Sequence, residues 1–144
     1  AASDVYKRQG RYQGIDQRVL ESEIDEEWSL GDFVISGGEF AAMAIVDAMI
    51  RRQAGALGDS ESAMQDSFEE GLLHCPEYTR PQSFEGHDVP NVLLSGDHAA
   101  IKRWRHKQAL GTTWRKRPDL LDARELTSEQ NDLLKEYQKE HGDQ

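Results

Sequence analysis

The chain has a single cysteine, Cys75, and no run of apolar residues long enough to form a membrane helix. One cysteine excludes an internal disulfide and is typical of a reducing compartment, so we expect a cytoplasmic protein. Crossing a membrane takes roughly 18 to 20 apolar residues, and the sequence therefore predicts no membrane span. Residues 1–9 lack the apolar core of a secretory signal, and we interpret them as a leader that belongs to no domain.

The sequence also lacks histidines at the spacing of metal ligands. His74 lies beside Cys75, but a structural zinc site requires four ligands at suitable spacing. No local pattern indicates a Ser-His-Asp or Cys-His catalytic group. We therefore predict no metal site and interpret Cys75 as an ordinary loop or core thiol.

The formal net charge is −10, but the two ends of the chain differ. Residues 1–90 contain 7 Lys and Arg against 18 Asp and Glu, a net of −11, whereas residues 91–144 contain 10 against 9, a net of +1. Between His98 and Pro118 lies a basic block with no acidic residue, which favours a polyanionic partner. Charge alone is equally compatible with a solvated helix face. The block consists of Lys102, Arg103, Arg105, Lys107, Arg115, Lys116 and Arg117.

Glycines punctuate the first third of the chain. Residues 23–30 predict an edge strand and residues 33–35 a buried strand, the latter flanked by Gly31, Gly37 and Gly38. Ser36 and Glu39 have the spacing of a capping box for a helix over residues 39–53. The apolar residues of that helix form one stripe that we expect to be buried: Phe40, Met43, Val46 and Ile50. A strand, a turn and a helix in succession indicate an α/β fold.

Spacing alone leaves the role of this glycine run open. It is neither a G-x-G-x-x-G fingerprint nor a phosphate-binding P-loop. Glycine allows a backbone to approach a ligand closely, so a nucleotide-like ligand and a pair of tight turns are both compatible with it.

The second half of the chain predicts helices. Residues 55–71 are small and polar without periodicity, which indicates a flexible linker. Asp97 is a suitable N-cap for a helix over residues 98–110. Thr127 and Gln130 form a capping box for a helix over residues 128–141, with Leu133, Leu134 and Tyr137 on its apolar face. We therefore predict that residues 72–144 form a mainly helical domain.

Motifs in sequence order carry a family resemblance. They are GRYQG (10–14), EIDEEWS (23–29), SLGDFVISGGE (29–39), QDSF (65–68), GLL (71–73), CPEYTRP (75–81), VLLSG (92–96), WR (104–105), TW (113–114) and RP (117–118). Together they resemble the bacterial tRNA (guanine-N1)-methyltransferases, the TrmD family of the SPOUT superfamily. The resemblance runs from Gly10 to about Tyr137.

The resemblance implies a fold and a function. Residues 10–54 would be the C-terminal part of a trefoil-knotted domain that binds S-adenosylmethionine, and residues 72–144 a helical tRNA-binding domain. The expected enzyme is a homodimer with its active site at the interface. It would transfer a methyl group to N1 of the guanosine immediately 3′ of the anticodon, with magnesium as a possible further cofactor.

The resemblance also implies site residues. Asp66 falls on the proposed general base, and Arg51 on the residue that holds the guanine O6. The basic block becomes the tRNA contact surface. The residues that the resemblance assigns to the cofactor pocket are Gly10, Tyr12, Gln13, Ser29, Leu30, Gly31, Phe33, Ile35, Gly37 and Gly38.

The chain departs from the family pattern in three ways. Gln13 stands where the family generally has Glu, which bears on the charge of the pocket and on any magnesium dependence. Ala41 replaces a usual proline just inside the helix, a change that we expect to be mild. The N-terminal half of the family's catalytic domain is not in the sequence. Two alternatives therefore stay open: a fragment that only binds RNA, and a related knotted methyltransferase that acts on another RNA.

Overall fold

A computed structural model of the chain describes residues 14–53, 55–56 and 66–142. The chain divides into two compact units, residues 1–58 and residues 59–144. We call the described part of the first the glycine-loop unit and the described part of the second the helical unit. Among the described residues, no helix is both long enough and apolar enough to span a membrane.

The glycine-loop unit contains α1 (Gln17–Glu23) and α2 (Glu39–Ile50). The carboxylate of Asp16 caps α1, because it accepts a hydrogen bond of 2.9 Å from the main-chain N–H of Arg18. Helix α2 ends at Ile50, before the predicted residue 53. Its N-cap is Gly38, with no side-chain hydrogen bond, so the predicted capping box is wrong. Ser36 precedes the N-cap, and a capping box requires the serine to be the N-cap itself.

The two predicted strands of this unit are also wrong. Neither residues 23–30 nor residues 33–35 adopt strand structure. Val34 is 99% exposed, although its run was expected to be buried. Strands need a hydrogen-bonded neighbour, and the described part of the glycine-loop unit has no sheet to supply one. A β-rich composition alone therefore does not make these residues a strand.

The predicted buried stripe of α2 lies on the surface instead. Phe40 and Met43 are 60% and 59% exposed, and α2 has no buried residue. Within the described part of its unit, no second helix packs on α2. The spacing of the stripe correctly predicts a helix, but burial requires a covering element that the spacing does not provide.

The helical unit begins with short elements and continues with longer helices. In chain order these are β1 (Ser83–Phe84), β2 (His87–Asp88), α3 (Asn91–Leu94), α4 (His98–Lys116), α5 (Pro118–Asp122) and α6 (Ser128–His141). Strands β1 and β2 form an antiparallel hairpin with Ser83 opposite Asp88. Its turn residues, Glu85 and Gly86, both have positive φ, which suits a tight hairpin turn. The sequence did not predict this hairpin, because glutamate is uncommon at positive φ.

Helix α4 is longer than predicted. The Asp97 carboxylate accepts hydrogen bonds from the N–H groups of Ala99 and Ala100, which confirms the predicted N-cap. The helix continues through Gly111 to Lys116, beyond the expected end at residue 110. A Cβ on Gly111 would collide with the ring of Tyr137, so this glycine allows α4 and α6 to approach closely.

Helix α6 follows the prediction closely. Thr127 and Gln130 form the expected reciprocal capping box, with bonds of 3.2 Å and 3.0 Å. Leu133 and Tyr137 are buried and Leu134 packs against the core, as the apolar face predicted. The core of the helical unit comprises Leu72, Leu110, Leu121 and Leu133.

Candidate active site and RNA interface

The glycine loop, residues 29–39, is the candidate cofactor loop, and its main chain turns at Gly31. The hydroxyl of Ser29 accepts a hydrogen bond from the N–H of Gly31 and donates one to the Gly31 carbonyl, both at 3.2 Å. The N–H of Phe33 donates to the same carbonyl at 3.0 Å. Gly31 has φ +152, and a Cβ there would lie 3.0 Å from the Phe33 ring. Side chains are therefore disfavoured at position 31.

The same loop offers apolar side chains to solvent. Leu30, Phe33 and Ile35 are 44%, 60% and 38% exposed, whereas Gly37 and Gly38 are half-buried. A Cβ on Gly37 would meet only the end of the Glu39 side chain, which can move aside, so the structure does not require glycine there. Exposed apolar side chains on a loop with closely approaching backbone suit a planar, partly apolar ligand such as an adenosyl group. That this loop forms one wall of a cofactor pocket stays a prediction. Three predicted pocket residues, Gly10, Tyr12 and Gln13, lie outside the described residues.

Arg51 lies directly after α2. It is the C-cap, and its main-chain N–H donates to the carbonyl of Asp47 at 3.0 Å. The side chain is exposed. The glycine loop and Arg51 therefore belong to the same unit, one before α2 and the other at its end.

Asp66 belongs to the helical unit. Its side chain is half-buried, and its carbonyl accepts a hydrogen bond of 3.4 Å from the N–H of Glu69. The next residue, Ser67, accepts a hydrogen bond from the main-chain N–H of His74 at 2.9 Å. The sequence placed Asp66 in the linker, and residues 57–65 of that linker lie outside the described residues.

Asp66 lines an open groove of about 1120 Å³ in the helical unit. Helix α4 contributes Lys102, Arg105 and His106 to its wall, and α6 contributes Gln130. Three acidic residues, Asp66, Glu70 and Glu129, and several basic residues thus share one concave surface. The sequence missed His98 and His106 as groove residues, since nothing in their spacing distinguishes them from other helix-surface residues.

The seven residues of the basic block divide into two groups. Arg103 pairs with Glu136 at 2.7 Å, Lys107 with Glu140 at 2.7 Å, and Arg117 with Asp119 at 2.6 Å. Lys107 is buried, although a solvated or RNA-facing lysine was expected. The other four are exposed and form no ion pair within the described chain: Lys102, Arg105, Arg115 and Lys116. Three of the seven cations are thus already neutralised by the protein's own carboxylates.

Cys75 is buried beside His74 and Glu77. Burial is the main cause that raises the pKa of its thiol, Glu77 raises it further, and Arg105 acts in the opposite direction. The potential ligand atoms of these three residues lie within 4.8 Å of one another. His74 Nε2 and Glu77 Oε1 are hydrogen-bonded at 2.8 Å. These three residues offer three ligands, one fewer than a structural zinc site requires. The absence of a metal stays a prediction.

Comparisons with known proteins all match tRNA (guanine-N1)-methyltransferases. The family model described as tRNA (Guanine-1)-methyltransferase TrmD matches residues 5–123. A tRNA (guanine-N(1)-)-methyltransferase of Nitrosococcus oceani is 62% identical over 92% of the chain and 54% of that relative. Proteins of the same name from Pseudoalteromonas atlantica and Escherichia fergusonii are 60% and 59% identical, over 91% and 94% of the chain and 49% and 53% of the relatives. The chain spans about half the length of the curated relatives it matches.

Proposed function

Because this chain belongs to the TrmD family of tRNA (guanine-1)-methyltransferases, we propose that the enzyme containing it methylates N1 of the guanosine 3′ of the anticodon. The observation that carries the proposal is the groove in which the Asp66 carboxylate lies with Lys102 and Arg105. A base for a nucleobase proton and cations for RNA phosphates are the two groups that this reaction requires.

The glycine loop is proposed to hold the methyl donor. Its residues fit an adenosyl group, since Gly31 disfavours a side chain and Phe33 exposes an apolar face. When bound, S-adenosylmethionine supplies the electrophilic methyl group. The described residues we assign to this wall are Ser29, Leu30, Gly31, Phe33, Ile35, Gly37 and Gly38.

Asp66 is proposed as the general base. Guanine N1 carries a proton at neutral pH, and a carboxylate within hydrogen-bond reach can accept it as the new bond forms. Loss of that proton shifts negative charge toward the guanine O6. We assign Arg51 to that oxygen, since a guanidinium donates directed hydrogen bonds and keeps its charge. These two residues lie in different units of the chain.

The tRNA surface is proposed to centre on the α4 cations that form no ion pair within the described residues. Lys102 and Arg105 line the groove with Asp66, and Arg115 and Lys116 extend the positive charge along the last turn of the helix. Arg103, Lys107 and Arg117 contribute less, because each would have to leave a carboxylate before it could bind a phosphate.

Assembly, compartment and metal are also proposals. We infer a trefoil-knotted, homodimeric enzyme in the cytoplasm. The exposed apolar residues of the glycine-loop unit support an interface, since large exposed apolar patches usually contact another surface. Magnesium as a further cofactor is proposed on the family resemblance alone, and Gln13 lies outside the described residues.

The proposal is tested by measuring methyl transfer from labelled S-adenosylmethionine to tRNA. The assay uses the full-length enzyme that contains this chain. Asp66→Asn removes the carboxylate at nearly constant shape, and we expect a rate loss of ~10² to 10⁴, the usual contribution of a general base. Asp122→Asn is the matched control, because it removes an exposed carboxylate of α5. Replacing the guanosine after the anticodon by adenosine should abolish transfer.

Two results would contradict the proposal. A loss of less than ~tenfold for Asp66→Asn would remove Asp66 as the base. Unchanged transfer to the adenosine-substituted tRNA would identify a methyltransferase with a different target.

A further inference from the structure

The loop that follows Asp66 is bonded to itself and to α4. The N–H of Phe68 donates to the carbonyl of Leu72 at 2.7 Å, and the N–H of His74 donates to the Ser67 hydroxyl at 2.9 Å. These bonds close residues 67–74 into a compact turn. The N–H of Leu73 then donates to Thr113 Oγ1 at 2.8 Å. The turn is therefore attached to α4 at Thr113.

Thr113 is built into the helix as a fixed acceptor. Its side chain is fully buried, with 0% exposure. A hydroxyl has one proton, and Thr113 donates it to the carbonyl of Ala109 at 2.7 Å. Its oxygen is thereby oriented to accept from Leu73. No other buried threonine is found in the described chain.

A second attachment lies on the other side of the same turn. Arg124 Nη1 donates to the carbonyl of Glu70 at 2.5 Å. Gly71 has φ +71, and a Cβ there would lie 2.9 Å from that guanidinium nitrogen. The Arg117 guanidinium lies 5.9 Å from the centre of the Phe68 ring, within cation–π range.

The backbone of the turn shows that these contacts are needed. Phe68 has φ +75, a left-handed conformation that bulky residues rarely adopt. Such a conformation persists only where surrounding contacts determine it. The turn, its attachments and the adjacent Asp66 therefore form one ordered element of the helical unit.

We propose that Thr113 is a positioning residue for methyl transfer, because its bond to Leu73 fixes the turn that begins directly after Asp66. The proposal rests on the proposed function, in which Asp66 is the base. Thr113 lies on the same helix as Lys102 and Arg105. A tRNA held by α4 would thus meet the base at a set distance, rather than a carboxylate on a loose linker.

A double-mutant cycle in the full-length enzyme tests this role. Single-turnover rates at saturating tRNA and S-adenosylmethionine are compared for Thr113→Val, Asp66→Ala and the double variant. We expect Thr113→Val to lower the rate ~tenfold, since small misplacements of a reacting group are costly. In the Asp66→Ala background it should change the rate less than ~twofold, because coupled residues are not additive.

Two further variants separate positioning from folding. Thr113→Ser keeps the hydroxyl, and its rate should stay within ~threefold of the parent. Tyr137→Leu is the stability control, because its ring packs on Gly111 between α4 and α6 and stacks on His141. We expect it to lower the thermal midpoint and to leave the rate of the folded enzyme within ~twofold.

The possible outcomes are distinguishable. Equal rate losses for Thr113→Val with and without Asp66 would overturn the positioning role and leave the base assignment intact. A full rate for Asp66→Ala would overturn both. If Thr113→Val does not fold, Arg124→Met removes the attachment at Glu70 from a partly exposed position and enters the same cycle. An additive result there would equally overturn the proposal.

Discussion

The two units differ in the burial of their apolar side chains. In the helical unit Leu110 and Leu133 are buried, and α4 and α6 pack closely across Gly111. In the glycine-loop unit no described residue is buried, and Val34 is 99% exposed. Both units contain regularly spaced apolar residues. The difference is that α6 gives α4 a partner surface, whereas the described part of the glycine-loop unit gives α2 none.

The two units show that apolar periodicity and burial are separate properties. Apolar periodicity indicates which face of an element can be buried, but burial itself requires a second surface. The helical unit supplies that surface from within residues 66–142. We therefore expect its stability to depend on its own core, and the exposed residues of the glycine-loop unit to serve contacts outside it.

The largest expected effect is on folding. Leu110→Ala should lower the free energy of unfolding by ~2 to 5 kcal/mol, because it leaves a cavity in the core of the helical unit. Val34→Ala, its matched control, should change that free energy by less than ~0.5 kcal/mol. Urea denaturation followed by circular dichroism measures both. Similar losses for the two variants would show that the units do not differ in this respect.

A smaller effect is expected on tRNA binding. Lys102→Ala and Arg105→Ala should each weaken tRNA affinity several-fold and reduce the salt dependence by ~1 unit of slope, as expected for one lost phosphate contact. Arg18→Ala is the control, a basic residue of the glycine-loop unit that pairs with Asp16. Fluorescence anisotropy at several salt concentrations gives both quantities. Equal losses for all three variants would place the RNA surface outside the groove.

The smallest expected effect concerns the ion pairs that join α4 to α6. Hydrogen bonding to Arg103 is the main cause that holds the pKa of Glu136 below its ordinary value of 4.5, and Lys107 contributes. A lowered carboxyl pKa stabilises the fold above the ordinary pKa, and this stabilisation is lost as pH falls through the lowered value. Exposed pairs contribute little, so the effect should be small.

The measurement compares thermal midpoints across pH for the parent, Arg103→Met and Lys139→Met. The difference between the parent and Arg103→Met should shrink as pH falls from 4.5 through the lowered pKa of Glu136. Lys139, an exposed residue in the last turn of α6, is the control for loss of charge. A constant difference at all pH values would show that the Arg103–Glu136 pair does not stabilise the helical unit.

Local signals predicted two of the three expected helix caps correctly. The Asp97 cap and the Thr127–Gln130 capping box were both predicted and both confirmed, since each bond spans two or three residues of sequence. Composition alone did not predict which cations stay unpaired. Arg103 and Lys107 find their carboxylates 33 residues later, on α6, and no local pattern indicates that pairing.

The candidate site was only partly predictable. Motif order placed Asp66 and the glycine loop, and these assignments stay predictions. The groove that Asp66 and Lys102 both line was not foreseen, because it depends on how residues 66–75 return to α4. Predicted strands failed for a related reason, since residues 33–35 have no described strand to pair with.

The sequence by itself determined the family, the spacing of the glycines, the caps at Asp97 and Thr127 and the basic block, because each depends on the order of residues along the chain. Tertiary structure decided which apolar residues are buried, which cations are neutralised and which helix holds the turn beside Asp66. Those properties depend on contacts such as Leu73 with Thr113, whose partners lie 40 residues apart. Only the folded chain brings such partners within hydrogen-bond distance.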